Sequence, residues 1–87
     1  MSKEIKGKEV GEVFTYFAQV GVAGIKLSGT LKVGDKIRIK GLTTDIEMDL
    51  DSMQIQRESV EEAKKGDEIG IKVSDKVRSG DKVYKVE

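Results

Sequence analysis

Three Gly-Asp pairs, Gly34-Asp35, Gly66-Asp67 and Gly80-Asp81, recur in the settings KVGDKIRIK, KKGDEIGIK and RSGDKVYKV. A carboxylate behind a glycine can act as an acid, base or ligand, or its oxygens can hold the backbone of a tight turn. The first pair lies in GTLKVGDK (residues 29–36), which has the G-x-x-x-x-G spacing of a phosphate-binding loop. Asp35 stands where that loop needs Lys, however, and Lys36 where it needs Ser or Thr. A carboxylate among backbone N–H groups repels phosphate, and the segment leads into an alternating strand, not a helix. No bound nucleotide is expected, and all six Gly and Asp residues are expected to build turns.

Two charged ladders follow. Asp45, Glu47, Asp49 and Asp51 raise a calcium reading, but Leu50 and Gln56 occupy positions where an EF-hand needs Gly and Glu. Alternate residues of a strand lie about 6.6 Å apart, too far for neighbouring carboxylates to share one ion. A solvated acidic face, or a charged guard against edge pairing, is preferred, and no metal is expected. Lys36, Arg38 and Lys40 form a basic stripe that could follow an RNA backbone, with Arg57, Lys72 and Arg78 as further candidates. RNA-binding sheets add exposed aromatics. Here the aromatics are Phe14, Tyr16, Phe17 and Tyr84, and in so small a core most are expected to be buried. A plain solvated face is the preferred reading of the stripe, with RNA contact as the alternative.

Cys and His are both absent. That removes thiolate chemistry, the commonest general base and any Ser-His or Cys-His constellation. No catalytic residue and no cofactor are expected, and the protein is expected not to be an enzyme.

The elements that position these residues are strands. Ile37 and Ile39 alternate with Lys36, Arg38 and Lys40; Ile69, Ile71 and Val73 alternate with Glu68, Gly70, Lys72 and Ser74. Ile46, Met48 and Leu50 alternate with acids, and then the phase slips, because Met53 and Ile55 come next. A strand cannot keep one inward face through that slip, so a bulge or sharp bend is expected near Asp51-Ser52. Strands are expected over Val10–Phe17 and Val22–Leu27, joined by a hairpin in which Gly21 takes positive φ. SVEEAKKG allows at most one short helical turn near 60–65, with Ser59 and Glu62 at capping-box spacing. The fold class expected is all-β: a small closed or nearly closed antiparallel barrel of about six strands, closure being one answer to exposed edges. Residues 1–8 are expected to be a flexible polar tail and 9–87 a single domain.

Composition bounds the rest. The chain has 87 residues, 37% of them charged, with 16 basic residues balancing 16 acidic ones. Bulk charge therefore does not drive it onto nucleic acid or an anionic membrane. Plentiful Lys and Glu with no Cys, His or Asn give a thermophile-like composition. No signal-peptide pattern or membrane-spanning run is read in it, so a cytoplasmic location is expected.

The order of the motifs also carries a resemblance. A G-x-[IL]-K-x-G-[DE] turn at Gly29–Asp35 is followed by a Thr-led acidic-apolar stretch at Thr44–Met53. An A-x-x-G-D-x-[IV]-G turn at Ala63–Gly70 and a closing x-x-G-D-x-[IV] at Ser79–Val83 complete the set. Over residues 10–86 the chain resembles the β-barrel second domain of translational GTPases such as elongation factor Tu, elongation factor G and initiation factor two. Small stand-alone elongation-factor-like proteins are the nearest likeness. The resemblance implies a six-stranded barrel and a non-enzymatic module that binds RNA or a ribonucleoprotein such as the ribosome. The GTPase domain of those factors has no counterpart here. Glu68 stands where elongation factor Tu carries Asn beside its aminoacyl pocket, which argues against recognition of aminoacyl-tRNA. Related barrels are also fused to other enzymes, including collagenase-like peptidases. The alternative is therefore a protein-interaction or accessory domain, which charge neutrality and the acidic ladder favour.

Overall fold

The structure, a computed structural model, describes residues 7–86. Residues 1–6 of the expected tail lie outside the described residues, whereas Gly7 and Lys8 already pair with Val86 and Lys85. Ten strands follow: β1 Gly7–Phe17, β2 Val22–Leu27, β3 Leu31–Lys32, β4 Lys36–Lys40, β5 Asp45–Asp49, β6 Met53–Ile55, β7 Glu58–Val60, β8 Glu62–Ala63, β9 Glu68–Lys72 and β10 Lys82–Val86. Eight of them form one antiparallel sheet in the order β5-β4-β10-β1-β2-β9-β6-β7, and β3 pairs with β8 in a separate ribbon. The fold is all-β.

Chain connectivity forces this sheet to curl. In a flat sheet β5 and β6 would stand six strand spacings apart, about 29 Å. Only Leu50, Asp51 and Ser52 join them, and the four Cα steps this entails reach about 14 Å at most. The sheet must therefore wrap until its edges approach. Two features hold them there: the β3–β8 ribbon, and the Leu50 backbone, which bonds to Gly34 N–H and Asp35 C=O (both 2.8 Å). Among the described residues no ladder joins β5 to β6 or β7, so the sheet is an open, curled half-barrel and not the closed six-stranded barrel expected. The phase slip explains the opening: Leu50 and Met53 are both buried, so the chain turns a corner between them and leaves one edge for the other.

The expected helical turn near 60–65 is absent. Glu62 and Ala63 pair instead with Lys32 and Leu31, and Ala63 is buried. Six residues give a helix almost no propagation to offset nucleation, so the ribbon prevails. Among the described residues no helix is long and apolar enough to cross a membrane.

The three Gly-Asp pairs have one geometry. Gly34, Gly66 and Gly80 have φ of 102°, 94° and 98°, as a type II turn requires at its third residue. In each turn the Asp N–H donates to the carbonyl three residues back (Lys32, Lys64, Arg78), at 3.0 Å. Its carboxylate accepts the N–H of that same residue at 2.9 Å. Each turn then clamps one buried residue from both sides. The Gly N–H donates to the carbonyl of Leu50, Leu27 or Val13, whose own N–H donates to the Asp carbonyl. One corner is thus used three times, each time tying a strand entry to a distant segment of the core.

Candidate functional site: a trough on the outer face

Side chains of β2 alternate: Ala23, Ile25 and Leu27 are buried inside the curl and Val22 and Lys26 face outward, while Gly24 belongs to the outward row but is itself buried. On β1 the register shifts between Val13, opposite Ile25, and Thr15, opposite Gly24, leaving Phe14 as an extra residue. This bulge turns Phe14 outward beside Thr15, and it puts Phe14 and Phe17 on the same face although they are three positions apart. In a regular strand they would point to opposite faces. Both rings are about half exposed, 47% and 55%. The expectation that most aromatics are buried is therefore corrected. Tyr16 packs against the core and Tyr84 is half-buried opposite Arg38, but both phenylalanines are outside. The bulge lies in backbone pairing, which composition and alternation do not record.

Gly24 is required by this arrangement, since an added Cβ would stand 2.7 Å from Thr15 Cγ2 and 2.9 Å from Phe14 Cζ. Gly24 pairs with Gly70 on β9, and Gly70 with Gln54 on β6, so Thr15, Gly24, Gly70 and Gln54 form one row across four strands. Phe14 and Thr15 lie over Gly24, which is buried, so the row opens as a trough at Gly70. It is bounded by Phe14 and Phe17 on one side and by the β6–β7 turn on another, in an open cleft of about 530 Å³. Ile55 and Glu58 pair directly, so that turn has two residues, Gln56 and Arg57, with φ of 52° and 70°. Left-handed conformation at both positions is the type I′ hairpin, which favours Asn-Gly. A non-glycine residue there costs about 1 kcal/mol or more, and such strain gathers at functional sites. Among the described residues neither Arg57 nor Glu68, which also lines the cleft, makes an ion pair.

The basic stripe has a different setting. β4 pairs with β5, placing Lys36, Arg38 and Lys40 opposite Asp49, Glu47 and Asp45. Arg38 grips Asp45 with two hydrogen bonds (Nε–Oδ1 2.8 Å, Nη2–Oδ2 2.9 Å), and Lys36 and Lys40 reach Glu47 and Asp45 at 3.9 and 3.7 Å. The acids occupy the bases. β10, β1 and β2 stand between this ladder and Lys72 on β9; Arg57 is at the trough, and Arg78 opens the third Gly-Asp corner. The six cations therefore do not form one surface.

The ladder has a pH signature. The Arg38 hydrogen bond holds the Asp45 carboxyl below its usual range; desolvation opposes this, while the Arg38 and Lys40 charges reinforce it. A carboxyl whose folded pKa is depressed stabilises the fold above the unfolded value and loses that contribution as pH falls through the folded one. Below about pH 4 the melting temperature of the wild type should therefore fall more steeply than that of Arg38→Met, and the two curves should converge in acid. Parallel curves from pH 7 to pH 2 would show that the pair adds nothing.

No protein-family model matches the chain. Among curated proteins it is 47% identical over 77 residues to an uncharacterized protease of Methanocaldococcus jannaschii, covering 87% of this chain and 19% of the relative. It is 40% identical over 78 residues to a collagenase of Porphyromonas gingivalis, covering 87% of this chain and 22% of the relative. The chain thus spans about a fifth of the length of the curated relatives it matches. Two crystal structures of the C-terminal domain of a Geobacillus thermoleovorans protein described as a U32 peptidase share the fold. Their TM-scores are 0.86 and 0.85, at 14% and 15% identity, with 92% and 90% of this chain covered. These findings overturn the likeness to translational GTPases, and with it the expected RNA or ribosome partner and the expectation of a non-enzyme. The motifs behind that likeness are largely the three corners, and a type II turn closed by Asp demands Gly-Asp wherever a small sheet needs it. What the chain is similar to is one domain of proteins named as peptidases.

Proposed function

We propose that this chain is the accessory domain of a peptidase-type protein, engaging polypeptide on behalf of a catalytic centre carried elsewhere. The observation behind this reading is the match of nearly the whole chain to about a fifth of each protease-named relative. Its fold is also that of a C-terminal domain solved by itself, 99% of which is covered. The outer face agrees with such a role: the sheet's apolar interior is complete, yet two aromatic rings remain outside it.

The test uses the collagenase relative. Deleting its matched segment should lower kcat/KM on a protein substrate about tenfold, mostly through KM, and leave cleavage of a short peptide within about twofold. Replacing the segment with this chain should restore the loss. Equal loss on both substrates, or loss on neither, would overturn the reading.

A further inference from the structure

We infer that the Gly24–Gly70 trough binds an extended, proline-rich segment of another polypeptide in polyproline II conformation. The inference deepens the accessory-domain reading and rests on it.

Backbone pairing narrows the kinds of occupant first. β2 is bonded along both sides, to β1 and to β9, and at the trough Gly70 of β9 also pairs with Gln54 of β6. An added strand finds no free edge along β2, so recognition there falls to side chains. Width narrows them further. The floor is one residue wide between flanking rows: Glu12, Lys26 and Glu68 on one side, Phe17, Val22 and Lys72 on the other. Those rows stand about 13 Å apart, so an extended chain lies between them with room to spare, whereas an α-helix, about 10–12 Å across, meets the flanking side chains as it enters.

The lining chemistry then points to one class. Phe14 and Phe17 offer exposed ring faces against which pyrrolidine rings pack. Thr15, Gln54, Gln56 and Arg57 carry side-chain donors around the same cleft. A polyproline II segment lacks N–H groups at its prolines and presents outward carbonyls, so rings plus donors are what it needs. Its preformed shape lowers the entropy lost on docking. Charge agrees with this choice. Arg57 and Glu68 line the cleft with opposite signs and no ion-pair partner among the described residues, which suits a peptide of low net charge and disfavours a polyanion. The strained Gln56-Arg57 turn has a role on this reading, since it puts an arginine at the cleft when an Asn-Gly turn would fold more easily.

Two substitutions test the site without threatening the fold. A Cβ at Gly70 meets only Val22 Cγ1 at 3.5 Å, an ordinary contact, so Gly70→Val fills the trough from a position that suits a β-branched residue. Arg57→Gly removes the guanidinium and relieves the positive φ, so it should raise the melting temperature while weakening binding.

The probe is a decaproline peptide titrated into the ¹⁵N-labelled full chain, with a Gly-Ser decamer as control. Saturable shifts at Phe14, Phe17, Gly24, Gly70 and Arg57, about tenfold weaker in Gly70→Val and in Phe14→Ala/Phe17→Ala, are the expected result. No saturation by about 1 mM would overturn the proposal. So would equal response to the Gly-Ser control, shifts outside the trough, affinity indifferent to Gly70→Val, or peptide-free self-association that moves the same resonances. If the chain restores the truncated collagenase but decaproline does not bind it, the accessory role stands and the proposed occupant is wrong.

Discussion

Replacing Gly41 with alanine should destabilise the fold by about 3 kcal/mol, more than any other single methyl added outside the core. Gly41 follows β4 and donates its N–H to Thr44 C=O at 2.7 Å. A Cβ built there overlaps the carboxylate of Asp81. Asp81 cannot step aside as a long surface side chain could. It is 5% exposed, its Oδ2 accepts Arg78 N–H, and its carbonyl accepts Val13 N–H at 2.8 Å. Moving it loosens the third Gly-Asp corner and the grip of that corner on β1. Asp81→Ala alone should cost about 1–2 kcal/mol, for one hydrogen bond and a small cavity. In that background Gly41→Ala no longer meets a carboxylate. The double variant should therefore be more stable than the sum of the single losses implies, with a coupling of about 1–3 kcal/mol in urea denaturation. Additive losses would mean that the two residues do not touch.

The alternation that exposed the strands also marked their inner faces: Ile37, Ile39, Ile69 and Ile71 are all essentially inaccessible. Period-two burial is set by each strand locally, so it can be read without the partner strand. The corner at residues 50–52 was legible for the same reason, as a slip in phase. What the slip did to the sheet was not legible. It carries the chain from β5 at one edge to β6 near the other, a consequence of pairing order. The trough was hidden more thoroughly. It opens over Gly70, beside a Gly24 that it meets only through the β2–β9 register, and its aromatic wall depends on a bulge that lays Phe14 over Gly24. Phe14 and Phe17 at a spacing of three read as one inward and one outward residue unless the bulge is known. Meanwhile the conspicuous sequence features, Gly-Asp pairs and alternating charges, proved to satisfy one another or the backbone. A carboxylate that already accepts a backbone N–H, or a lysine row facing an acidic row, has little left to offer a ligand.

Leu50→Ala should cost about 3 kcal/mol, within the 2–5 kcal/mol typical of a fully buried leucine. Leu50 is inaccessible to solvent and sits where β5 leaves one edge of the sheet for the other. Leu42 provides the control: it is fully exposed at the tip of the β4–β5 hairpin, and its alanine variant should fall within about 0.5 kcal/mol of wild type. Alanine at 50 keeps both backbone bonds to the Gly34-Asp35 corner, so the sheet stays curled and the urea m-value should not change. Leu50→Pro separates the two contributions. It also removes the N–H that donates to Asp35 C=O, and it should add about 1 kcal/mol or more to the alanine loss for the hydrogen bond lost. A proline loss equal to the alanine loss would show that the backbone clamp contributes nothing. The approach of the two sheet edges would then rest on side-chain burial alone.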